Sequence, residues 1–177
     1  RSSDLSLKMA KVKFKIGVSS CLLGEPVRYN GEHKYNQAVI DLLGDRFEAM
    51  PVCPEVEMGM GVPREPVQIV MGNECLVGVE SGKHWDMNGF NSKKLDELAQ
   101  QNLSGYIFKS RSPSCGPEGI PVYSETGQAQ AETSAGVFAQ AFMKSFPSLP
   151  VIDEEALQDR QTRENFIARV IEGAKQG

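Results

Sequence analysis

The chain has 177 residues, enough for one domain that buries roughly 70% of its unfolded surface. Hydrophobic residues make up 40% and charged residues 24%, the balance of a soluble globular protein. A formal net charge of -4 excludes attachment to nucleic acid by bulk positive charge alone, and no apolar run reaches the ~20 residues of a membrane-spanning helix.

Residues 1–12, opening "RSSDLSLKMA", are polar, lack the core of a signal peptide and are set aside as a tag or disordered extension. Phe14–Ser20 reads as a first, buried strand, followed by the polar, turn-rich loop Glu25–Asn36. Gln37–Leu43 fits a short helix ended by Gly44. Phe47–Val52 is a second strand, closed by Cys53-Pro54 because proline gives no N–H to a ladder. Glu55–Pro66 reads as a loop, and Val67–Val70 with Cys75–Val79 as a β-hairpin around "MGNE". Ser92–Asn102 is helical, with Leu95, Leu98 and Ala99 on one face; Gly105–Lys109 is a third core strand. Ser134–Phe146 is a helix carrying Val137, Phe138, Ala141 and Phe142, and Leu149–Ile152 is a short strand. "DEEALQD" opens a helix at an acidic N-terminus, and Thr162–Gly177 continues as an amphipathic helix.

Strands alternating with helices predict an α/β fold, a mostly parallel sheet flanked by helices with a small β-hairpin insertion. The expected domain runs over residues 13–160. Residues 161–177 form a helix able to serve as a linker to a second, C-terminal domain.

Four cysteines occur, Cys21, Cys53, Cys75 and Cys115, with no C-x-x-C pair. Without a secretory signal a cytoplasmic setting is expected, where thiols stay reduced. Cys21, Cys53 and Cys115 each follow one of the three main strands. Ligands of open α/β sheets bind beyond the carboxyl ends of the strands, so three thiols converge there if those strands are parallel neighbours. Three thiolates suit a soft metal or an iron–sulfur cluster, and a cubane held by three leaves one iron open as a Lewis acid. Other readings stay open at this point. Cysteine is often simply a small buried hydrophobe, which is the reading for Cys75 in its apolar alternation. Zinc could take His33 or His84 as a further ligand. His33 sits in a polar loop and reads as solvated; His84, beside Trp85, reads as structural. Cys115, near Lys109 and Arg111, could act as a nucleophile, although no histidine has the context of a base.

Glu55, two residues past Cys53, is placed to take a proton from water. Ser112 and Ser114 flank Pro113 ahead of Cys115 and can orient water or substrate. Arg28, Arg64, Lys109 and Arg111 supply cations near the same loops.

"VSSCLLGEPVRYNG", "PVCPEVEMGMGVPREP" and "KSRSPSCG" closely resemble the three motifs of the thiouracil desulfurase family, in order across Lys15–Leu157. The resemblance implies a Rossmann-like domain with a [4Fe-4S] cluster on Cys21, Cys53 and Cys115 and the fourth iron free. It implies non-redox removal of sulfur from 2-thiouracil, 4-thiouracil or thiouridines. Glu55, Ser112 and Ser114 would be the catalytic groups, and Arg28, Arg64 and Lys109 would meet substrate. A small thiolated base or nucleoside fits the net charge better than RNA. The family pattern "ENCRYDG" has cysteine where "EPVRYNG" has Val27, outside the three ligands, and Trp85–Asn91 also departs from it, which bears on substrate choice. The rival expectation is a binding module for RNA or a partner, in which zinc or a cluster is purely structural.

Overall fold

The computed structural model describes residues 13–71 and 75–176. The extension at 1–12 and the hairpin turn at 72–74 therefore lie outside the described residues. In chain order the elements are β1 (Phe14–Ser19), a 3-10 turn (Ser20–Leu23), α1 (Gln37–Leu43), β2 (Phe47–Val52), the one-turn helix α2 (Pro54–Glu57), β3 (Val67–Val70), β4 (Cys75–Gly78), β5 (His84–Asp86) and α3 (Asn88–Ala99). They continue with β6 (Leu103–Phe108), β7 (Ile120–Tyr123), β8 (Ala129–Ser134), α4 (Val137–Ser145), β9 (Val151–Asp153), a second 3-10 turn (Ala156–Gln158) and α5 (Arg160–Gln176).

Four strands make one sheet in the order β2-β1-β6-β9, and every pairing in it is parallel. Period-two alternation divides each strand between two apolar layers. Ile16, Val18, Phe47 and Ile107 face α1 and α5, where Leu42, Phe166 and Val170 cover them. Val52, Tyr106 and Phe108 face the other way, onto Leu98 of α3 and Phe138 and Phe142 of α4. Gly17 pairs with Tyr106 across β1 and β6. Any Cβ at Gly17 would enter the Tyr106 ring, so the missing side chain gives that ring its place.

The hairpin is larger than its sequence suggests. β3 and β4 pair antiparallel as expected, but they are the middle of a five-stranded mixed sheet ordered β5-β4-β3-β7-β8. The added strands give weak signals: β7 contains Pro121, β8 reads AQAETS and is largely exposed, and β5 is three residues long. What reads as a small insertion is thus a second sheet packed beside the first layer.

A second correction concerns Glu55–Pro66. The segment begins not as loop but inside α2, with Pro54 at the first helical position and Glu55 and Glu57 in the first turn. Proline needs no N–H partner there, and carboxylates suit a helix N-terminus.

Candidate functional site

All three motif cysteines emerge at the carboxyl edge of the parallel sheet, from the adjacent strands β2, β1 and β6. Cys21 lies in the 3-10 turn directly after β1; its carbonyl accepts from Lys34 N, which folds the 25–36 loop back over it. Cys53 is the N-cap of α2: its carbonyl accepts from Glu57 N, and its own N–H donates to Glu57 Oε2 at 2.8 Å.

Cys115 comes seven residues after β6 and is carried back by a tight loop. Arg111 turns the chain with φ of 61°. Ser112 Oγ then accepts from Cys115 N at 3.0 Å and Ser114 N at 3.3 Å. The loop also caps α4. Val137 N donates to Pro113 O, and Phe138 N and Ala139 N both donate to Ser114 O, so the loop's carbonyls serve the free N–H groups of the helix start. Gly136 permits this approach; a Cβ there would stand 2.6 Å from Ser114 C and O and 2.9 Å from Cys115 N.

The three motif cysteines, Glu55, Ser112, Ser114 and the four cations Arg28, Arg64, Lys109 and Arg111 all line one cavity of about 710 Å³. Within it Glu55 is buried at 8% exposure and both of its oxygens are held. Oε1 accepts from Arg64 Nε at 3.0 Å, and Oε2 accepts from Ser114 Oγ at 2.7 Å. Ser112 Oγ lies 3.1 Å from Ser114 Oγ, so two hydroxyls and a carboxylate form one chain ending beside Cys115, whose Sγ is 3.7 Å from Ser114 Oγ. Arg64 also donates through Nη1 to Gly61 O, while Arg28 lies over the Tyr29 ring.

The opposite wall holds a group that sequence reading treats only as a helix start. Glu154 is buried and accepts from Ser110 N at 2.6 Å and Ser110 Oγ at 2.8 Å, with Lys109 Nζ at 3.0 Å from its Oε2. The available signal was position: Glu154 directly follows β9, the fourth parallel strand, as Cys21 and Cys53 follow β1 and β2 within two residues. Lys109 N in turn donates to Ser19 Oγ, tying the ends of β6 and β1.

Burial raises all three thiols above their ordinary range. Cys21 is pushed up to about 11, chiefly by burial, with Lys109 pulling it back and Cys53 adding to the rise. Cys53 is raised by burial against the pull of the Val56 N–H and Arg64. Cys115 is raised by burial against hydrogen bonding from Ser114, with Cys53 adding again. Cys53 is thus within electrostatic reach of both other thiols.

Among the described residues, no group of three or more His, Cys, Asp and Glu side chains is set to grip one metal ion. His33 and His84 are exposed and neither lines the cavity, so His84 is not the structural residue its neighbour Trp85 suggested. Cys75 is buried on β4 in the second sheet, away from the cavity lining. A cubane cluster spreads its ligands over separate corners, which asks less convergence of three thiols than a single ion does. Three thiols following three adjacent strands, those of Cys21 and Cys115 buried and that of Cys53 half-buried, around a cavity with charged and hydroxyl walls, fit such a group in donor chemistry and number.

A family model for 2-thiouracil desulfurase matches residues 16–154, which contain every one of these groups. The chain belongs to the 2-thiouracil desulfurase family. This family member is 34% identical over 152 residues to YbbK of Bacillus subtilis (strain 168), covering 80% of the chain and 97% of that protein. It also matches the solved structure of TudS, a [4Fe-4S]-dependent thiouracil desulfidase, at a TM-score of 0.63 and 31% identity, covering 86% of this chain and 99% of TudS. Val27, the departure from the family pattern, lines the cavity and packs on the core beneath α1.

Proposed function

We propose that the protein removes sulfur from thiolated pyrimidines such as 2-thiouracil, at a [4Fe-4S] cluster held by Cys21, Cys53 and Cys115. The observation that supports the reading is that these three cysteines, at the ends of adjacent parallel strands, line one cavity together with a buried carboxylate held by two partners. The match to TudS, whose name specifies a [4Fe-4S] cluster, supports the cofactor. Bound on three cysteines, the cluster supplies an open iron that acts as a Lewis acid toward a soft sulfur atom.

The remaining chemistry falls to the chain's own side chains. Glu55 accepts a proton from a water as the water's oxygen attacks the thiocarbonyl carbon. That oxygen becomes the new carbonyl, and the sulfur leaves with the other proton as hydrosulfide. No electron is exchanged. Arg64 and Ser114 fix the two carboxylate oxygens, so Glu55 needs no rearrangement at the moment of transfer. Ser112 secures Ser114 and the Cys115 backbone together. Lys109 and Arg28, on the walls beside Cys21, offer positive charge to the electron-rich pyrimidine edge. A cavity of about 710 Å³ has room for a base or nucleoside next to the cysteines.

The test is sulfide release from 2-thiouracil by the anaerobically reconstituted protein. Wild type should turn over. Glu55→Gln should keep its iron and lose about 10²–10⁴-fold in rate. Near-wild-type turnover by Glu55→Gln would remove the base from the scheme. Iron-loaded wild type that leaves 2-thiouracil and 4-thiouridine intact would remove the activity.

A further inference from the structure

The cavity holds a second buried carboxylate besides Glu55. Glu154 directly follows β9, is 8% exposed and lines the cavity. A carboxylate has about four lone-pair sites, and Glu154 does not use all of them. Its Oε1 accepts only from Ser110 N at 2.6 Å, whereas Oε2 accepts from Ser110 Oγ at 2.8 Å and pairs with Lys109 Nζ at 3.0 Å. Lys109 also has capacity to spare. Of the donors on its ammonium, one serves Glu154 Oε2, one serves Ser110 O at 2.8 Å, and the remaining approach, to Ser110 Oγ, is long at 3.4 Å. An acceptor and a donor thus stand side by side on one cavity wall.

The pair is not needed to join its strands. β6 and β9 already pair through Tyr106–Val151, Ile107–Ile152 and Phe108–Asp153. Taking a carboxylate and an ammonium out of water has a cost that their attraction offsets only in part, so a buried pair is weak evidence of a stabilising role. Position explains it better. In the strand order β2-β1-β6-β9, Cys53 and Cys21 follow the first two strands, Lys109 the third and Glu154 the fourth. Neighbouring strands lie about 4.8 Å apart, so Glu154 starts about 10 Å along the sheet edge from Cys21. A pyrimidine whose sulfur lies by the cysteines turns its ring toward the ion pair.

We propose, resting on the reading of this cavity as a thiopyrimidine site, that Glu154 and Lys109 recognise the imide edge of the ring. Glu154 Oε1 accepts from the ring N3–H, and Lys109 Nζ donates to the carbonyl oxygen beside it. 2-Thiouracil and 4-thiouracil both present this N–H and C=O next to the thiocarbonyl carbon, so one wall serves either position of the sulfur. A ring methylated on N3 has no proton to give. A 2-thiocytosine offers an acceptor to the carboxylate and a donor to the ammonium. Either analogue leaves a buried charged group unpaired, which is how a polar site rejects a near-isostere. Glu154 sets specificity, while Glu55 handles the proton.

The test measures dissociation constants of uracil and 3-methyluracil, which carry no sulfur to lose, by anaerobic calorimetry on the iron-loaded full chain. Wild type should prefer uracil about 10–100-fold, the effect of one hydrogen bond to a charged group. Glu154→Gln keeps the length of the side chain and should keep its iron, yet that preference should shrink about fivefold. An undiminished preference in Glu154→Gln overturns the assignment, because the methyl is then excluded by shape alone. Loss of iron from Glu154→Gln also overturns it and places the residue in cofactor retention. If iron-loaded wild type releases no sulfide from 2-thiouracil, the thiopyrimidine reading and this inference fail together. If wild type consumes 2-thiouracil but binds uracil and 3-methyluracil alike, or binds no uracil, only the imide-edge assignment fails.

Discussion

Gly136→Ala tests how the cysteine loop is held. The added methyl would meet Ser114 C and O at 2.6 Å and Cys115 N at 2.9 Å, all of them backbone atoms. No side chain can swing aside, so either the loop or the start of α4 must shift. Gly136 has φ of -58° and ψ of 154°, a conformation open to alanine, so the cost is steric and not torsional. Overpacking of this kind costs about 2–3 kcal/mol, or about 5–10 °C in melting temperature for a chain of this length. The displacement falls on the residues that place Cys115, so iron uptake should drop with stability. Thermal melts of the metal-free protein and iron analysis after reconstitution measure both effects. Gly173→Ala is the control: nothing lies within 4 Å of its added methyl, and the helix should gain about 0.5–1 kcal/mol. A Gly136→Ala protein that melts within 1 °C of wild type (roughly the spread of such melts) and takes up full iron would refute the close-approach argument.

Three further outcomes are expected. Ser114→Ala removes the 2.7 Å bond to Glu55 Oε2 and should slow turnover about 10–100-fold while iron content holds; a loss of iron in proportion would place Ser114 in cofactor retention instead. Lys109→Met leaves the buried Glu154 with only its two Ser110 bonds and should destabilise the protein by about 1–3 kcal/mol, read by urea titration; a neutral result would mean that Glu154 gains nothing from its cation. The metal-free protein should lose stability in alkali. Burial favours the neutral Cys21 thiol, so the unfolded chain releases its proton first, near 9.0, and the folded chain only near 11. The Cys21 contribution is therefore fully present below pH 9.0 and is lost as pH rises through about 11. Cys21→Ser should flatten that decline in denaturant titrations at the two ends of the range, and an identical decline in both proteins would contradict it.

The parallel sheet was legible in the sequence because buried strands announce themselves. Phe14–Ser19, Phe47–Val52 and Leu103–Phe108 are short runs ended by Ser, Cys-Pro or Lys-Ser, and each lies within two residues of its expected span. The site was legible for a related reason: a thiol after a strand in a parallel sheet must face the carboxyl edge, whatever its distance along the chain. The second sheet was obscured because its outer strands β5 and β8 are short or polar, and pairing to β4 and β7, not hydrophobic pattern, makes them strands. The α2 turn was hidden by two glycines just beyond it. Glu154 was hidden by its own run of acids, in which nothing local separates the buried carboxylate from exposed Glu155. The ion pairs of Arg64 and Lys109 are set by folding and have no sequence signature.

Iron content per chain after anaerobic reconstitution, measured across Cys21→Ser, Cys53→Ser, Cys115→Ser and Cys75→Ser, tests the three-thiol centre most directly. Wild type and Cys75→Ser should each carry about four irons, and the other three variants should lose nearly all of theirs. Full iron in any of those three, or its loss in Cys75→Ser, would contradict the assignment.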